Sequence, residues 1–148
     1  MYRYHNRNPP DDLTTRDHRL ELIKKGDVRD AQRNIVGFEE LKFMMLKIKK
    51  CFLENKVLYT SHAKTEMRDE EFGNIFEIEV CDAIEDGEII ENYSDDKPYP
   101  SVLIYGKSSK GKPLHVVCAY SDEDDIAIVV TVYQPNPKMW IDYRRRKK

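Results

Sequence analysis

No stretch of this sequence approaches the roughly 20 apolar residues that a helix needs to cross a bilayer. The opening residues, MYRYHNRNPPDD, carry no apolar core of the kind an export signal requires. Both absences argue against a membrane and for the cytoplasm. Cysteine is scarce: Cys51, Cys81 and Cys118 are far apart, form no CxxC, and sit among apolar neighbours where a reduced thiol packs as a small hydrophobe. The four histidines, His5, His18, His62 and His115, show no HxxxH or His/Cys spacing, so neither a metal site nor a cofactor is expected. A glycine-rich phosphate loop and a GxSxG elbow are missing too. Charge of one sign is also lacking, with 25 Lys and Arg against 27 Asp and Glu. A polyanionic partner would therefore have to be met by local patches, of which there are two: KSSKGK at 107–112 and RRRKK at 144–148.

What is present is enough for one domain with a core of its own: 148 residues, 40% of them hydrophobic. Residues 1–37 read as a weakly structured N-terminal extension, with a frayed arm over 1–11 and weak periodicity that allows short helices over 13–36. The domain proper is 38–148. Over about 38–54, Leu41, Met44, Met45, Ile48 and Phe52 recur at helical spacing. KVLYT reads as a strand, and Ser61 as the cap of a helix HAKTEMRDEEF. A second helix, IFEIEVCDAIEDG, is expected to stop at Gly87 in a left-handed conformation. EIIENY is a strand. SVLIYG, PLHVVCAY and IAIVVTVY, joined by short polar connectors, should form an antiparallel meander. The expected fold class is α+β, with the N-terminal helices packed on one face of a mainly antiparallel, twisted sheet of four to five strands.

PLHVVCAY places a histidine inside an apolar strand. By period two, His115, Val117 and Ala119 share one face and Val116 and Cys118 the other. Pairing Tyr120 with Ile126 sets His115 opposite Thr131 with Tyr133 diagonal to it, and the apolar pattern argues for this register or one shifted by two. The helices should then cover Val116, Ile128 and Val130 and leave the His115 face open, with the basic hairpin at its rim. His115 is either a satisfied structural imidazole or an acid/base group. His62, at the start of its helix, either caps the first turn or joins such a site, and the positive end of the helix dipole favours its neutral form.

The blocks SHAKTEM, GEIIENYSDDKPYPSVLIYG, GKPLHVV and VVTVYQPNPKMWIDYRRRKK resemble a family of unknown function from bacteria and archaea. That family is grouped with RelE-like ribonuclease toxins of the barnase, EndoU, colicin and RelE type of fold. The resemblance covers residues 56–148. It matches His62 and Ala63 to a histidine-alanine pair that opens a helix, and His115 to a histidine in the central strand. Thr131, Val132, Tyr133, Pro135 and Trp140 match its C-terminal block. The family's two arginines on the His-bearing helix are replaced here by Glu66 and Glu70.

The resemblance implies a RelE-like fold and a toxin of a toxin–antitoxin system. Such a toxin would be a metal-independent endoribonuclease whose substrate, ribosome-associated mRNA included, supplies its own nucleophile, the 2′-OH. That chemistry needs a base, an acid for the leaving 5′-oxygen, and cations for the phosphorane. His115 and His62 are the candidates for the proton steps, with Tyr133 as an alternative acid or orienting group. Lys64 and Arg68, four apart on one helix side, can meet a phosphate together. Lys107, Lys110, Lys112, Arg144 and Arg145 can contact the backbone, with Thr131 beside the histidine. The bland readings are turn solubility and a solvated tail. Trp140 and Tyr143 can stack a base or close the sheet edge. His62 and Glu66 can form an orienting pair or decorate a solvated face. A cognate antitoxin is the expected protein partner, and the alternative reading is an inactive member that binds RNA or protein.

Overall fold

The structure, a computed structural model, describes residues 28–148, with side chains from residue 37 onward. The sequence readings of residues 1–27, His5 and His18 among them, lie outside the described residues. Helix α1 spans Val28–Leu53, so the helix expected over 38–54 is the C-terminal part of a longer one. Met45, Ile48 and Cys51 are its buried residues, with Leu41, Met44 and Phe52 packed beside them, as the helical spacing required.

Strand β1 (Val57–Tyr59) leads into α2 (Ser61–Arg68) and α3 (Glu77–Glu85). Thr60, not Ser61, is the N-cap of α2. Its hydroxyl accepts from the Ala63 amide at 3.0 Å and donates to the Val130 carbonyl at 2.9 Å, so one side chain starts the helix and ties it to the sheet. The helix also ends earlier than HAKTEMRDEEF suggests, at a C-cap on Asp69.

Gly87 does not terminate α3 in a left-handed conformation; its role is space. A Cβ there would lie 2.6 Å from the Ala83 carbonyl oxygen and 2.7 Å from Ile104 Cγ2. At Gly106 the added atom would be 1.9 Å from the same carbonyl. The two glycines let the last turn of α3 rest directly on the sheet.

Strands β2 (Glu88–Tyr93), β3 (Ser101–Lys107), β4 (Pro113–Ser121) and β5 (Ile126–Tyr133) complete a five-stranded sheet. Its order is β1-β5-β4-β3-β2, antiparallel throughout except for the β1–β5 pair. The α+β architecture with helices on one sheet face is as expected.

The register of the last hairpin differs in an instructive way. Tyr120 pairs with Ala127 rather than Ile126, and a bulge between Val117 and Cys118 shifts the rest, so that Val117 faces Thr131 and His115 faces Tyr133. Val130 is the extra residue, and the bulge changes which side chains meet the helices. Val132, Val129 and Ala127 join Val116 in the helix-side core. Ile128 and Val130 go to a second cluster on the far face with Leu103, Val117, Ala119 and Trp140, which corrects the expectation that the helices cover them.

Candidate active site

On the far face a row of paired residues crosses four strands. Glu88 on β2 pairs with Tyr105 on β3, Tyr105 with His115 on β4, and His115 with Tyr133 on β5. A neighbouring row runs Glu91, Leu103, Val117, Thr131. The chain beyond β5 folds back over both. Pro135 and Pro137 cannot continue the ladder, and β6 (Trp140–Ile141) and β7 (Arg145–Arg146) form a small hairpin.

Its turn residues, Asp142 and Tyr143, have φ of 52° and 62°. A type I′ turn needs this left-handed geometry, and non-glycine side chains resist it by about 1–2 kcal/mol per residue. What opposes that cost is visible in the contacts the hairpin makes with the row beneath. The Tyr143 carbonyl lies 2.6 Å from His115 Nε2. Trp140 stands edge-on to the imidazole with ring centroids 4.4 Å apart. Arg144 lies over the Tyr105 ring and pairs with Glu88, and Arg146 lies 4.6 Å from the Trp140 ring and 3.1 Å from Glu91. The hairpin is a strap, and it closes the face that the sequence reading left open.

His115 is accordingly 0% exposed. A carbonyl can only accept, so Nε2 carries the proton and donates to Tyr143. Nδ1 is then the acceptor, and the Tyr133 hydroxyl, 3.1 Å away, donates to it. Burial pushes the imidazole down to about 4, with the Tyr143 hydrogen bond opposing more weakly, so it is neutral near pH 7 with both nitrogens engaged. Tyr133 is half-buried, and its hydroxyl is oriented from behind by His115. Thr131 sits opposite Val117, not His115, with its Oγ1 buried and lacking a hydrogen-bond partner.

His62 lies elsewhere, on α2. β1 pairs with β5 only as far as Val129, and α2 lies alongside β5 beyond that point. The Val132 amide faces the Glu66 carboxylate and the Gln134 amide that of Glu70, each favouring the charged form against burial. The match is geometric: four helical residues rise about 6 Å and two strand residues about 6.6 Å, so i,i+4 carboxylates meet i,i+2 amides. Glu66 and Glu70 thus cover a strand edge. Glu66 is not decoration on a solvated face: burial, then repulsion from Glu70, raises its carboxyl to about 7. His62 Nε2 is 3.1 Å from Glu66 Oε1, and burial lowers the His62 pKa.

The basic residues do not converge. Lys64 and Arg68 are exposed on α2, and Arg68 approaches Asp69 at 3.4 Å. Lys112 is committed to the fold, 2.9 Å from Glu79 and donating to the Asn74 carbonyl. Lys107 and Lys110 are exposed, as is Arg145, whereas Arg144 is paired within the strap. Lys107 and Arg144 border a groove of about 580 Å³ whose other walls include Asp82, Glu85, Asp86 and Glu88. That acidic groove repels a polyanion. Trp140 is 5% exposed and closes over His115 rather than offering a stacking face. Among the described residues no group of three or more His, Cys, Asp or Glu side chains is placed to hold a metal ion, and no helix is long and apolar enough to cross a membrane.

The sequence reading passed over Tyr105, the Tyr143 carbonyl and the partners Glu88 and Glu91. Tyr105 was within reach, because period two on SVLIYG puts it on the far face opposite His115. The strap's contacts had no periodic signal.

The fold and site define a small α+β protein whose sheet is covered by helices on one side and by a C-terminal strap over a histidine–aromatic cluster on the other. The chain belongs to the family described as Domain of unknown function (DUF4258), whose model matches residues 59–134, just over half of its length. No curated protein and no solved structure matches it.

Proposed function

We propose that this protein is a RelE-like toxin that cleaves RNA without a metal, with the partly exposed His62 on α2 as its base. The observation that carries the reading is a partly exposed, neutral imidazole, His62, in the first turn of α2. With Nε2–H of His115 held by the Tyr143 carbonyl, its Nδ1 must accept the Tyr133 hydroxyl hydrogen bond, and this holds the phenol oxygen against the imidazole. His62, partly exposed and neutral at pH 7, is suited to take the proton of a 2′-OH. His115 then positions Tyr133 and does not itself carry protons. The test is expression in cells and incubation of the purified protein with RNA in EDTA. Growth arrest and 2′,3′-cyclic phosphate ends, both lost in His62→Ala, are expected. Intact RNA with the native chain overturns the reading.

A second reading is favoured by the burial of His115 and the acidity beside Lys107 and Arg144. In it, the chain is a member that binds RNA or an antitoxin protein and cuts nothing. It predicts that partner affinity is the same in His62→Ala as in the native chain, with no cleavage by either.

A further inference from the structure

Glu66 is half-buried and aimed at two things, the Val132 amide and the imidazole of His62. His62 Nε2 and Glu66 Oε1 are each buried, neither has an aligned hydrogen-bond partner, and they are 3.1 Å apart. Left unaligned, a buried donor and a buried acceptor each cost about 1–3 kcal/mol. At 3.1 Å the two atoms are already within hydrogen-bond distance, and catalytic hydrogen bonds commonly align and tighten when substrate arrives. Because Nε2 is shielded, the 27% of the His62 side chain that is accessible belongs to its other atoms, and Nδ1 is the ring nitrogen left to face a substrate.

We propose that Glu66 is a positioning residue for His62: it accepts Nε2–H, fixes that tautomer, and turns the Nδ1 lone pair outward as the base of the RNA-cleaving site. The proposal rests on the ribonuclease reading above and deepens it. The Val132 amide faces the carboxylate, so the pair lies beside the same strand that carries Tyr133. In the step itself the 2′-hydroxyl gives its proton to Nδ1, the 2′-oxygen bonds to phosphorus, the P–O5′ bond breaks, and the 5′-oxygen takes a proton from water. Tyr133 is not the acid, because its proton is already donated to His115. Glu70, on the next turn, repels charge on Glu66, and Lys112 counters Glu70. Both therefore act on the pair through Glu66.

Two measurements decide the matter. In the free protein, ¹⁵N-detected NMR of the imidazole should show His62 protonated at Nε2, with its titration moved in Glu66→Gln. A Nδ1–H tautomer, or a titration unmoved by the substitution, overturns the proposal whether or not RNA is cut. In cleavage assays Glu66→Ala should lower kcat/KM at least about tenfold and displace the acid limb of the pH profile. The double variant His62→Ala, Glu66→Ala should be no slower than His62→Ala alone, as for a residue acting through another. A cleaving native chain whose Glu66→Ala form keeps its rate and profile overturns the pair and spares the ribonuclease reading. A native chain that leaves RNA intact overturns that reading and the catalytic role of the pair with it, while the NMR result still reports whether Glu66 holds the ring.

Discussion

At the scale of single residues, His115 and Glu66 are displaced in opposite senses, and their linkage to stability is opposite. The His115 imidazole is held near 4 against an ordinary 6.5, so between those values the unfolded chain binds a proton that the folded chain refuses, and stability falls as pH falls. The Glu66 carboxyl is raised from 4.5 to about 7. There the folded chain keeps a proton that the unfolded chain releases, and stability falls as pH rises. Glu70, raised by burial, adds to the second slope. From about pH 4.5 to 6.5 the two effects oppose each other. In Glu66→Gln the His115 slope, to which the lowered His62 adds in the same sense, is opposed on the carboxylate side by Glu70 alone, so thermal unfolding from pH 7 down to pH 5 should show a steeper loss of midpoint temperature than in the parent. Equal pH dependence in the two proteins would contradict the burial argument.

At the scale of elements, periodicity made most of the fold legible and left specific gaps. The face of α1 that Ile48 and Cys51 occupy, the meander, and the company of His115 with Tyr133 all follow from spacings of 3.6 and 2. The bulge at Val130 does not, because one inserted residue leaves the apolar content of IAIVVTVY unchanged while exchanging its faces. The strap was hidden for a different reason: its strands are two residues each, and what holds them is a set of Arg, Glu and aromatic contacts made across the whole sheet. Gly87 looked like a stop signal, since sequence reveals that a Cβ is absent but not what occupies its place. The same reasoning gives a sharp expectation at Gly106, where the Ala83 carbonyl would lie 1.9 Å from an added Cβ. Gly106→Ala must push α3 off β3, and urea denaturation should show a loss of about 3 kcal/mol or more, the upper range for overpacking. A loss below about 1 kcal/mol would mean that α3 and β3 are not in direct backbone contact.

At the scale of the whole molecule, the sheet is insulated on both faces, by helices on one and by the strap on the other. The strap is fastened at two points, Arg144 to Glu88 and Arg146 to Glu91, with Trp140 between them as the chain's one tryptophan. Replacing both arginines by alanine should loosen it without unfolding the sheet. The Trp140 emission should shift to the red and become accessible to a soluble quencher while far-ultraviolet dichroism is retained. Unchanged emission would show that apolar packing alone holds the strap. The parallel β1–β5 pairing has a kinetic corollary. Thr60 and Val130, joined by a hydrogen bond, are 70 positions apart in the chain, whereas the β3, β4 and β5 hairpins close over short turns. Loop-closure entropy makes the distant pairing the late event in folding. Until it forms, one edge of β5 offers bare amides to any extended chain that passes, a momentary template for misassembly. The row of carboxylates on α2 is then also what ends that exposure.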